Sequence, residues 1–135
     1  AGFQLALACD LMVCAEDAQL AMREPSLGLV PDLGGTRPLV RAVGYSRALE
    51  ICGTGRWVHA AEAAQLGLAQ VVVPADLLGS TVDDLVSALL AAPSGALSAT
   101  KHLLSAAEAT TRAQQLDDEV EAQLGRLDEL AGLLR

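Results

Sequence analysis

Arg23-Glu24-Pro25-Ser26-Leu27-Gly28-Leu29-Val30-Pro31-Asp32-Leu33-Gly34-Gly35-Thr36 is the stretch on which the reading of this chain turns. It sets two carboxylates, Glu24 and Asp32, in otherwise apolar surroundings and closes on a glycine pair. A charge among apolar residues is costly to bury without a partner or a purpose, and glycine brings a backbone close to whatever occupies a site. Chemistry is expected along this run, with the remainder mainly scaffold.

Working outward, the glycine pair opens a helix over residues 34–43, carried by Leu39, Val40 and Val43. Its N-terminus would face the carboxylate region, where backbone N–H groups and the helix dipole favour negative charge. Upstream, residues 2–8 read as a short helix and residues 11–15 as a buried strand. Downstream, residues 46–51 form a short helix ended by Gly53 and Gly55. Residues 60–66 give another, stopped by Gly67, and Val71, Val72 and Val73 make a β-branched strand closed by Pro74.

The grammar then changes from punctuated apolar runs to nearly continuous helix. One helix spans about residues 77–92, with Leu78, Val82, Leu85, Val86 and Leu89 on one face, and Pro93 ends it. A second covers about residues 94–109. A third begins near Thr111, with a stripe of Leu116, Val120, Leu124, Leu127, Ala131 and Leu134 that calls for a covering surface. The expected organisation is residues 1–76 with the site loops and residues 77–135 as a helical region.

Composition narrows the function. The chain has 135 residues, 52% of them hydrophobic, and a formal charge of −8. That balance argues against nucleic acid, whose binding rests on Lys and Arg neutralising phosphates. Cys9, Cys14 and Cys52 are odd in number without C-x-x-C spacing, so neither a disulfide framework nor a metal site is expected. No apolar run approaches the length of a membrane span, and a reducing cytoplasmic setting fits the free thiols.

The order of motifs is the specific signal. Ala1-Gly2-Phe3-Gln4-Leu5-Ala6-Leu7-Ala8-Cys9-Asp10 is followed by Glu24-x-x-x-Gly28-x-x-Pro31-x-x-Gly34-Gly35-Thr36. Then come Val43-Gly44, Thr54-Gly55, Ala60-x-Glu62-Ala63 and Gly67-Leu68. Together these resemble the crotonase superfamily of enoyl-CoA hydratases and isomerases, from residue 1 to about residue 109. The match looks like the second half of a family member. The resemblance implies an α/β, crotonase-like fold, a ClpP-like spiral of ββα units represented by the second half of its core and the C-terminal helices. It also implies an acyl-CoA thioester substrate, no cofactor beyond the CoA of the substrate, and a homotrimer or hexamer.

By the same resemblance the backbone N–H of Ala1 is one donor of an oxyanion hole, stabilising the enolate that forms when a thioester is deprotonated next to its carbonyl. Glu24 matches the second glutamate of the hydratases, whereas Gln4 stands in place of the first. Glutamine cannot act as a general base, so the reading leans from hydration toward double-bond isomerisation with Glu24 as proton shuttle. Asp32 resembles the aspartate of members that shift double bonds in dienoyl-CoA substrates, and Leu27 would line the substrate pocket. A non-catalytic acyl-CoA binder, or a fragment without activity of its own, is the alternative.

Plainer readings stand beside these. Asp32 would equally serve a turn or cap, Gln4 a backbone bond, Leu27 core packing. Arg23 is placed to hold the charge of Glu24, and Trp57 reads as a packing anchor. His59 reads as a surface cap, His102 as structural or exposed, and Lys101 as solvated unless it approaches a CoA phosphate.

Overall fold

The computed structural model describes residues 1–133. It divides into a compact unit of residues Ala1–Asp83 and a second from Asp84 onward, the division falling within a helix.

The first unit begins with helix α1 (Gly2–Leu7), which buries Phe3 and Gln4, and continues into strand β1 (Val13–Ala15). Strand β2 (Gln19–Leu20) precedes a 3-10 turn at Glu24–Leu27, which Pro25 suits because its fixed φ is compatible with a helical start. Helix α2 (Thr36–Val43) follows the glycine pair, and Gly44 separates it from α3 (Tyr45–Thr54). Strand β3 (Val58–His59) leads directly into α4 (Ala60–Gln65), and β4 (Val71–Val73) comes next.

Two small sheets tie these pieces together. Strands β1 and β4 pair in parallel, with Val13 opposite Val71, Cys14 opposite Val72 and Ala15 opposite Val73. Strands β2 and β3 pair antiparallel through Gln19 with His59 and Leu20 with Val58. Between the sheets and helices lies a core of Phe3, Cys14, Met22, Leu39, Ala48, Ile51, Val58, Ala60, Ala63, Leu68 and Ala69. Ala60 and Ala63 are completely buried. With no side chain beyond Cβ, they let the α4 backbone sit directly on the core.

One cation holds the end of α3 to α4. The Arg56 guanidinium donates to both carboxylate oxygens of Glu62, at 2.7 and 2.8 Å, and also pairs with Glu50. Its planar fork matches carboxylates in this bidentate manner. Burial pushes the Cys14 thiol up, in keeping with an inert core cysteine.

After a 3-10 turn at Ala75–Leu77, helix α5 (Leu78–Ala91) crosses from the first unit into the second. The second unit continues with α6 (Ser94–Ala106) and α7 (Arg112–Leu133). Thr111 and Gln114 form a reciprocal capping box at the start of α7. The Gln114 N–H donates to Thr111 Oγ1 at 3.2 Å, and the Thr111 N–H donates to Gln114 Oε1 at 3.2 Å. The stripe of α7 is not covered. Leu116, Val120, Leu124 and Leu127 are each about half exposed, while Leu134 of the expected stripe lies outside the described residues.

Several elements differ from the sequence expectation, among them the strand expected over residues 11–15, which begins at Val13, and the helix expected from residue 34, which begins at Thr36. Gly53 lies inside α3, and the helix ends at Gly55, whose φ of 60° supplies the left-handed stop. The helix expected to run to residue 109 ends at Ala106. Strands β2 and β3 were not anticipated, being two residues each and too short to carry an alternation.

Candidate active site

Glu24 opens the 3-10 turn at Glu24–Leu27, and Gln4 lies on the first turn of α1. The two meet directly. The Gln4 amide nitrogen donates to Glu24 Oε1 at 2.8 Å. The Gln4 side chain is 1% exposed, whereas that of Glu24 keeps 17%, enough to be reached from outside.

The other end of the Gln4 amide is equally occupied. Its Oε1 accepts the backbone N–H of Leu33 at 2.9 Å and that of Gly35 at 3.3 Å. Gly34 between them has φ of 80°, so the backbone turns two N–H groups toward one oxygen, a small nest of the kind that binds carboxylate and other oxygen ligands. Gly35 is required for a separate reason. A Cβ there would lie 2.8 Å from Gln4 Cγ, so the loop rests on the stem of the glutamine. Gln4 is thus a buried bridge between the glycine loop and Glu24.

Several influences keep Glu24 ionised. A hydrogen bond from its own backbone N–H and then the Gln4 amide hold its carboxyl below the usual carboxylate value, against the opposing effect of partial burial. The Ala1 nitrogen is 3.5 Å from Glu24 Oε1, so the backbone atom expected to donate to an oxyanion is next to the carboxylate. On the α3 side, Cys52 senses the same charge. Burial first, and the Glu24 carboxylate second, push its thiol up.

The 3-10 turn that carries Glu24 is docked on the end of α3. Arg23 does not hold the Glu24 charge, as its position in sequence suggested. Its guanidinium donates to the Gly55 carbonyl at 3.1 Å and lies over the Trp57 ring, 5.7 Å from the centroid. Adjacent residues diverge in direction, and here Arg23 takes the route toward an aromatic face. Trp57 is therefore not a core anchor; it is half exposed and serves as the platform for Arg23. Gly55 is hemmed in by Ser26, whose Oγ would be 2.2 Å from an added Cβ.

The side chains of the remaining candidates do not join these hydrogen bonds. Asp32 is exposed and does not cap α2, whose N-cap is Gly35 without a side-chain bond. Leu27 is 72% exposed, so it is not core packing in this chain. His59 occupies the N-cap position of α4 without a side-chain cap bond, and His102 is exposed. No group of three or more His, Cys, Asp or Glu side chains suited to a metal occurs among the described residues. An open groove of about 580 Å³, lined by residues such as Tyr45, Arg47 and Glu50, contains neither Glu24 nor Gln4. It is a crevice where α2 meets α3, away from the carboxylate.

Likeness to known proteins, rather than the cluster by itself, places the chain in the crotonase superfamily. The chain belongs to the enoyl-CoA hydratase/isomerase family, whose model matches residues 1–128. Its structure superposes on that of a candidate enoyl-CoA hydratase from Thermobifida fusca YX. The TM-score is 0.96 and the identity 55%, over 98% of this chain and 51% of that one. The Thermobifida protein has also been solved with CoA and with acetoacetyl-CoA. An enoyl-CoA hydratase from Bacillus anthracis superposes with a TM-score of 0.90 at 34% identity, covering 98% of this chain and 53% of its own. The probable enoyl-CoA hydratase echA8 of Mycobacterium tuberculosis is 43% identical over 75 residues, which are 56% of this chain and 29% of that protein. The chain thus spans about half the length of the solved relatives it matches.

Among the described residues, no helix is long and apolar enough to cross a membrane, and the three cysteines are free.

Proposed function

We propose that the protein of which this chain forms part acts on acyl-CoA thioesters through a stabilised enolate, and that it moves double bonds rather than adding water. The observation that carries this reading is the 2.8 Å contact between Gln4 and Glu24, an amide where a two-carboxylate hydratase needs a second base. Among the described residues, Glu24 is the carboxylate that Gln4 holds at this cluster, and we assign it the acid–base role. Complexes of the Thermobifida relative with CoA and acetoacetyl-CoA support the substrate class.

In this scheme the Glu24 carboxylate takes a proton from C2 of a 3-enoyl-CoA. The electron pair moves onto the thioester oxygen, where the Ala1 backbone N–H stabilises it. Collapse of the dienolate returns the proton to C4 and leaves the double bond between C2 and C3, with no net gain or loss of atoms. Asp32, exposed near the same loop, would assist proton delivery on longer dienoyl chains, and Leu27 offers an apolar surface to the acyl group.

The uncovered Leu116–Val120–Leu124–Leu127 stripe of α7 supports assembly into a homotrimer or hexamer, and the free thiols support a cytoplasmic setting. Conversion of 3-enoyl-CoA to its conjugated isomer by the full-length protein tests the scheme. Activity lost in Glu24→Gln and kept in Asp32→Asn supports Glu24 as the shuttle and removes Asp32 from it. Tight acyl-CoA binding without turnover of enoyl, dienoyl or hydroxyacyl thioesters would favour a binding protein.

A further inference from the structure

We propose that Gln4 is a positioning residue, a one-directional brace that ties Glu24 to the Leu33–Gly35 backbone and holds it as the proton acceptor. This rests on the proton-transfer reading of Glu24 and adds a specific role for its buried neighbour.

The direction of the amide follows from its partners. Leu33 and Gly35 present two backbone N–H groups, which require an oxygen, and both reach Gln4 Oε1. The nitrogen of the same amide must then face Glu24, which as a carboxylate only accepts. A flipped amide would set three donors against one another and an oxygen against a carboxylate. Since Gln4 is 1% exposed, water cannot rescue that arrangement.

Position is fixed as well as direction. The Leu33 and Gly35 N–H groups anchor the amide from one side, and the loop runs so close to the glutamine stem that a Cβ at Gly35 would lie 2.8 Å from Gln4 Cγ. A displacement of the loop is therefore transmitted through one side chain to the carboxylate.

The charge balance points the same way. Besides Gln4 on α1, Glu24 faces the Ala1 nitrogen and, from α3, the Cys52 thiol, while Arg23 is turned away to Gly55 and Trp57. A glutamate at position 4 would keep the nest but bring two carboxylates together at hydrogen-bond distance, and the pair would have to share a proton. The amide gives the same contact without that proton.

The test compares wild type, Gln4→Met and Gln4→Glu in the full-length protein, following the pH dependence of kcat/KM for 3-enoyl-CoA isomerisation. Gln4→Met should move the acid limb to higher pH and lower kcat about tenfold, the effect of one lost hydrogen bond to a charged group. Gln4→Glu retains the length and the nest bonds, so it should fold, and its acid limb should lie higher still. Acid limbs that coincide in all three would overturn the brace, leaving Gln4 a structural residue. Should the wild type turn over no thioester, the catalytic reading of Glu24 fails, and the brace is read separately. Infrared titration of the 13C-labelled carboxylates, differenced against Glu24→Gln, should then show Glu24 protonating at higher pH in both variants, and unchanged titration would overturn it.

Discussion

Gln4 and Glu24, twenty positions apart in the chain, are joined by a 2.8 Å hydrogen bond in which the buried amide donates to a partly buried carboxylate. The acceptor end of that amide is fixed by the glycine loop, so the geometry of Glu24 depends on Gly35 as much as on its own turn.

Gly35→Ala is expected to disturb both stability and site. Its φ of −69° suits any residue, so no backbone strain arises. The added methyl collides with Gln4 Cγ and Cβ instead. Overpacking of this kind costs about 1–3 kcal/mol, measurable as a lower denaturation midpoint in urea. Isomerase activity should fall with it even under conditions where the variant is fully folded.

Gly55→Ala should act by a different route. At φ of 60° an alanine costs about 1–2 kcal/mol in backbone energy, and its Cβ meets Ser26 Oγ. The hydroxyl can rotate away, but the backbone cannot. Ser26→Ala combined with Gly55→Ala should therefore recover little of the lost stability, as chemical denaturation of the single and double variants would reveal.

The fold and the site differed in how much of them the sequence disclosed. Strand β4, the opening of α2 after Gly34-Gly35 and the approximate limits of α5 and α7 follow from local patterns of β-branching, glycine and helical spacing. Glu24 stands out in the sequence because its distance to Gly28 and Gly34-Gly35 is a local signature. What escaped were relations between distant segments. The Arg23 side chain was assigned to its neighbour Glu24, whereas tertiary packing presents it with Gly55 and Trp57. The role of Gln4 as a bridge required the Leu33 and Gly35 N–H groups to converge, and nothing local to position 4 announces that. Gly55 was visible as part of Thr54-Gly55, but its contact with the Glu24 turn was not.

Acid should weaken the first unit in a defined direction. Glu50 and Glu62 are held below the usual carboxylate value chiefly by hydrogen bonds from Arg56, and Glu24 by its own N–H and Gln4. Groups depressed by folding stabilise the native state above their unfolded value of about 4.5, and that contribution disappears as pH falls through the lower folded values. Arg56→Met should consequently lower the melting temperature at pH 7 while narrowing its gap to wild type at acid pH. Thermal melts between neutral and acid pH measure both.

The capping box at Thr111 should stabilise the start of α7 independently of the site. Thr111→Ala removes the acceptor for the Gln114 N–H, at a cost of about 0.5–2 kcal/mol. Faster amide hydrogen exchange confined to the first turn of α7 is the expected signature.

The central claim, that one carboxylate moves a proton without adding water, is tested most directly by the mass of the product. The full-length protein, given a 3-enoyl-CoA, should yield a conjugated isomer of unchanged mass, at a rate reduced about 10²–10⁴-fold in Glu24→Gln. A product heavier by one water, formed from the 2-enoyl thioester as fast as the isomer is formed, would contradict it.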